Sequence, residues 1–93
     1  MAELTLTDRV VVPDGVLARE IDGETVLLNL ETGVYFGLDP VGTDMWRAIQ
    51  TNGRLQDVFA SIAQEYDVDA ATLRADLLQL VNQMCEKGLL QTA

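Results

Sequence analysis

An α+β fold is predicted for this chain: an N-terminal three-stranded antiparallel β-meander followed by three α-helices. Three observations predict it. Up to Leu38, apolar residues alternate and are punctuated by the turn sequences Asp22-Gly23 and Glu31-Thr32-Gly33. Beyond Asp39, they recur at spacings of three and four. The changeover falls at Asp39-Pro40, a helix N-cap followed by the residue best suited to the first helical position.

The elements follow in order. Leu4-Thr5-Leu6 and Val10-Val11-Val12 form an arm or an extra strand, ended by the breaker Pro13-Asp14-Gly15. Val16 to Ile21 is the first strand of the meander, and Asp22-Gly23 is a pair suited to a tight hairpin turn. Thr25 to Leu30 returns, with Val26, Leu28 and Leu30 on one face and Leu27 and Asn29 on the other. Gly33 permits a second turn because it accepts positive φ. Val34 to Leu38 completes the sheet, with Val34, Phe36 and Leu38 on one face and Tyr35 and Gly37 on the other.

Helix one runs to about Thr51, carries Val41, Met45, Trp46 and Ile49 as its stripe, and stops at Asn52-Gly53. Helix two runs from about Leu55 to Tyr66 on Leu55, Val58, Phe59, Ile62, Ala63 and Tyr66. Asp69 caps helix three, which reaches Lys87 before Gly88 stops it, and Leu89-Leu90 packs back on the core. The chain therefore divides into residues 1–15 (arm), 16–38 (meander) and 39–90 (helices) of a single domain spanning 1–93.

Composition narrows the function. Fifteen acidic residues against six basic ones, a net charge of −9, argue against nucleic acid and against an anionic membrane surface. The absence of histidine removes the usual general base and the commonest metal ligand. Cys85 has no second cysteine to pair with and no histidine to activate it, so it reads as a half-buried structural thiol. Asp67/Asp69 and Asp14/Asp22 lack metal-loop spacing, and capping and turn roles explain them. No catalytic, metal or cofactor set emerges. An acidic start without a basic region and no long apolar run make the cytoplasm the expected location.

Two features remain unexplained by packing. No downstream segment resembles a strand, so Val34–Leu38 is expected to be a sheet edge with unpaired backbone groups. Gly37 within it allows close approach of another backbone, or else marks a bulge. On helix three, Leu73, Leu77, Leu80 and Met84 lie within about 60° of arc, and Val81, Leu78 and Cys85 widen the stripe to about 160°. The surplus either packs on the sheet or on Leu89-Leu90, or it forms one wall of a groove whose other wall is the third strand. Arg74 lies at the rim of that shoulder. Tyr35 either covers the outer sheet face or touches a ligand, and Trp46 belongs to the core.

A small meander ahead of three helices is a winged-helix-like arrangement. The run from Gly23 through Asn29-Leu30-Glu31-Thr32-Gly33-Val34-Tyr35-Phe36-Gly37-Leu38-Asp39-Pro40 to Gly42 resembles the RiPP recognition element, the pyrroloquinoline quinone biosynthesis protein D family. Met45-Trp46-Arg47-Ala48-Ile49, Gly53 and Glu86-Lys87-Gly88-Leu89-Leu90 fit the same pattern. Asp39 stands where that family often has Asn, a small departure since both cap a helix. The Tyr35-Phe36-Gly37-Leu38 form is most similar to the stand-alone leader-binding subunits of lasso-peptide biosynthesis.

The resemblance implies a non-catalytic adaptor. The leader of a ribosomally made precursor peptide would add as an antiparallel strand to Val34, Tyr35, Phe36, Gly37 and Leu38. Leu77, Leu78 and Val81 would face it, with Arg74 at the rim, and a separate leader peptidase, a cysteine protease subunit, would then receive it. No cofactor is implied. The working form is a monomer or an edge-paired dimer. The alternative is a winged-helix DNA-binding regulator, for which Arg74 and Lys87 are the only cations on helix three, against Asp76 and Glu86.

Overall fold

The computed structural model describes residues 4–93; the acidic start at Met1-Ala2-Glu3, on which the expected cytoplasmic location partly rests, lies outside them. The elements are β1 (Val10–Val11), β2 (Val16–Ile21), β3 (Glu24–Asn29), β4 (Tyr35–Leu38), α1 (Pro40–Asn52), α2 (Leu55–Glu65), α3 (Ala70–Glu86) and β5 (Gln91–Thr92). This is the expected α+β fold, with an antiparallel meander in the order β2-β3-β4. Asp22 and Gly23 both take positive φ, +53° and +82°, as a two-residue turn matched to the strand twist requires.

β3 is the spine of the sheet. Its inward residues Thr25, Leu27 and Asn29 are buried, whereas Val26 on the opposite face is 43% exposed. Two of these three inward residues are polar, and each meets a helix. The Thr25 hydroxyl bonds to that of Thr43 on α1 at 2.9 Å. Asn29 carries more. Its amide donates to the Gly88 carbonyl just past α3 at 2.8 Å, and its side-chain oxygen accepts from the N–H groups of Glu31 and Thr32 at 2.9 and 3.2 Å. One buried side chain thus shapes the β3–β4 turn and anchors the end of α3.

The helices begin and end where capping chemistry dictates. Asp39 accepts from the Gly42 N–H at 2.7 Å, and Asp69 from the Thr72 N–H at 3.1 Å. The apolar faces meet on Trp46, Ile49, Leu55, Val58, Leu77, Val81 and Met84, all at most 2% exposed, with Leu89 and Leu90 folded in beside them. Tyr66, expected to end α2, instead caps it and donates its hydroxyl to Asp44 on α1. An exposed Arg47–Glu20 pair joins α1 to β2, and its hydrogen bond holds the Glu20 carboxyl below the ordinary glutamate value.

Two details differ from expectation. A strand does occur downstream: β5 pairs antiparallel with β1, Val10 opposite Thr92 and Val11 opposite Gln91. At two residues each, such strands are too short to show an alternating pattern. The arm is also stitched to the α1–α2 junction, where the Val10 N–H donates to Gly53 at 2.9 Å and the Leu55 N–H to Asp8 at 3.0 Å. It therefore lies away from the meander's edge. Removing the anchor should show its weight. Asn29→Ala is expected to lower unfolding free energy by about 2–4 kcal/mol in urea titrations, because several buried partners lose their bonds together. Asn52→Ala, whose amide bonds only within α1, should cost about 1 kcal/mol or less.

Candidate peptide-binding groove

β4 stands last in the meander, and among the described residues no strand pairs with its outer edge. Which backbone groups face outward follows from the ladder. The Asn29 N–H donates to the Val34 carbonyl at 3.0 Å, and the register continues with Leu27 opposite Phe36 and Thr25 opposite Leu38. The alternation of an antiparallel pair then turns Val34, Phe36 and Leu38 toward β3. It points the N–H and C=O of Tyr35 and Gly37 to the open side. The register is one-for-one through Val26 opposite Gly37, so Gly37 is not a bulge. A Cβ built there would meet nothing within 4 Å, so the sheet face at Gly37 is open.

Beside the edge runs a groove of about 500 Å³, lined by Phe36, Leu38, Val41, Met45 and Leu80, with Asp39, Asp76 and Gln83 at its margins. α1 packs beneath β3 and β4, and α3 forms the far bank. α3 presents Asp76, Leu80 and Gln83 to it, positions spaced four and three apart and so on one face. Lys87 continues that face, its ammonium 5.8 Å from the centroid of the Phe36 ring.

The structure rearranges the predicted wall. Leu77 and Val81 have no exposed surface at all. They lie under the groove as core, not along it. Leu78 is partly buried and Arg74 exposed, but neither lines the groove. They sit about 160° and 120° round the helix from Leu80. Arg74 borders a separate hollow with Leu6 of the arm and Phe59 of α2. The wide stripe on α3 has two shoulders, and the arm comes to the one that the sequence reading assigned to the ligand. Leu80, which that reading placed in the core seam, is the shoulder facing β4. Asp76, Gln83, Val41 and Met45 were not singled out as site residues. The signal that finds them is the side of α3 on which Gly88 meets Asn29.

Tyr35 lies on the outer face of the sheet, 69% exposed, near Leu17, Val26 and Leu28. Trp46 is core at 2% exposure. Cys85 is partly buried, and burial pushes its thiol above the ordinary value, which suppresses the nucleophilic thiolate. Among the described residues, no three His, Cys, Asp or Glu side chains gather as a metal site, and no helix is long and apolar enough to cross a membrane.

The family model for coenzyme PQQ synthesis protein D, PqqD, matches residues 24–90, from the start of β3 through Leu90. The chain belongs to the PqqD family. Its fold is thus that of a RiPP recognition element. Solved structures agree. TbiB1 in complex with the TbiA(beta) leader peptide is 39% identical, with 86% of this chain and 93% of that one covered and a TM-score of 0.80. Lasso peptide synthetase B1 complexed with the leader peptide shares the fold at 20% identity, 89% and 98% coverage and a TM-score of 0.79. No curated protein gives a significant match.

The two shoulders of α3 make opposite predictions for neighbouring positions. Val81→Glu buries an unpaired charge and should cost at least about 3–5 kcal/mol, read as a melting temperature lowered by about 15 °C or more. Leu80→Glu leaves the charge at the groove and should retain the native circular dichroism spectrum with a melting temperature within about 5 °C.

Proposed function

We propose that this PqqD-family protein captures the leader of a ribosomally synthesised precursor peptide, of the lasso class, by strand addition to β4. The leader runs antiparallel to β4, bonds to the outward N–H and C=O groups of Tyr35 and Gly37, and lays alternate side chains into the groove over Phe36, Leu38, Met45 and Leu80. The protein itself performs no chemistry. It holds the leader for a separate cysteine-type leader peptidase, in the cytoplasm, and it works as a monomer because edge pairing between two copies would occupy the same groups.

The observation that carries this reading is the open edge of β4 beside an apolar groove, in a fold also found in a protein bound to a leader peptide. Two outward residues offer at most four backbone hydrogen bonds, about 2–6 kcal/mol together at about 0.5–1.5 each. Affinity in the nanomolar to low micromolar range needs about 8–12 kcal/mol. Apolar side chains in the groove must supply the difference, which is why the groove matters as much as the edge. The DNA-binding alternative is disfavoured because Arg74 and Lys87, the two cations of the predicted third helix, lie about 140° apart round its axis. They cannot make one basic face.

Proline placement tests the reading. Tyr35→Pro and Gly37→Pro remove N–H groups that face outward, which an edge strand tolerates. Both variants should stay folded by circular dichroism, yet lose at least ten-fold in affinity for a fluorescein-labelled TbiA(beta) leader peptide in anisotropy titrations. Phe36→Pro removes a group facing β3 and should lower stability instead. Folded Tyr35 and Gly37 variants that bind like the parent protein would show that the leader does not pair with β4.

A further inference from the structure

The groove is apolar along its middle and oppositely charged at its two ends. At the Phe36 end, Lys87 lies over the ring. At the Leu38 end stand Asp39, the next residue along the chain, and Asp76, three turns back along α3. α3 ends where Gly88 meets Asn29, whose N–H bonds to Val34 just before β4, so the helix runs antiparallel to β4 and its earlier turns lie toward Leu38. Lys87 and Asp76 are about 16 Å apart along the helix, close to the length of a five-residue strand. Neither residue makes an ion pair among the described residues. Asp39 uses one oxygen to cap α1, and its other oxygen accepts no hydrogen bond among the described residues.

We propose that these ends read the charge order of the leader. The preferred segment carries a basic side chain toward its N-terminal end, apolar side chains through the middle and an acidic side chain toward its C-terminal end. This rests on the strand-addition reading, which fixes the direction: a strand antiparallel to β4 starts beside Leu38 and finishes beside Tyr35. The wider surface strengthens the argument. A chain of net charge −9 repels acidic peptides in general, so a lone lysine against the groove marks the place where an acidic side chain is accepted. Reversing the leader's charges brings Glu against Asp39 and Asp76 and Lys against Lys87. Both ends then turn from attraction to repulsion.

The test uses the full chain and the TbiA(beta) leader peptide in two versions. They carry Lys and Glu, in either order, at the two positions flanking the segment that protects the β4 amides from hydrogen exchange. The Lys-first peptide should bind about ten-fold tighter at low salt, with the gap shrinking as sodium chloride rises. The double variant Asp76→Lys with Lys87→Glu should invert that preference, and the single Lys87→Ala variant should narrow it. Equal affinities for both peptides, with Tyr35 and Gly37 still protected and no response to the double variant, overturn the charge-order proposal and leave strand addition standing. Loss of β4 protection with every peptide, the unmodified leader included, overturns both.

Discussion

The architecture depends on one buried amide. Asn29 sits where the sheet turns into its edge strand and where α3 ends, and it holds both with bonds of 2.8–3.2 Å. A polar group in that position is costly unless satisfied, so the surroundings are arranged to satisfy it. Gly88 supplies its carbonyl from a backbone at φ +72°, and a Cβ there would come within 2.9 Å of the amide nitrogen. The contact is therefore specific at both partners. It fixes where α3 stands relative to β4, and so keeps the groove between them open without a spacer.

Rigidity of this kind suits the proposed backbone pairing. Ordering a flexible peptide already costs much of the interaction, so a receptor that also had to order itself would gain little. Here β4 is paired along one side and supported beneath by α1, whose first turn is capped by Asp39, the residue that follows the strand. The edge and the helix under it are one continuous stretch of chain, and α3 adds only the far bank of the groove. That economy explains how 93 residues without a histidine or a disulfide present a defined edge and groove.

Much of this was legible in the sequence because it is written in local chemistry. Asp22-Gly23, Asp39-Pro40, Gly53 and Gly88 mark turns and helix ends by backbone preference, and those marks hold in the structure. The β4 edge was legible through the lack of a following strand pattern of useful length. The far bank was not. A helical wheel gives the width of the α3 stripe but not its hand. Leu80 and Leu78 flank the same core seam, and the side that meets β4 depends on how α3 crosses the sheet. That crossing is set by Asn29 and Gly88, 59 residues apart in the chain. Val81 and Leu77 looked available for the same reason: a residue in the middle of an over-wide stripe is the most deeply covered, whichever shoulder is used.

The outward row on Tyr35 and Gly37 has a consequence for whatever occupies it. A peptide that joins by main-chain pairing does not extinguish an edge; it relocates it about 4.8 Å further out. The visitor becomes the fourth strand and exposes its own alternate amides and carbonyls to solvent. Occupied receptor thus differs from empty receptor by a fresh ribbon of polar backbone whose side chains belong to the cargo. Any later protein that touches that ribbon senses loading and cargo identity in a single contact.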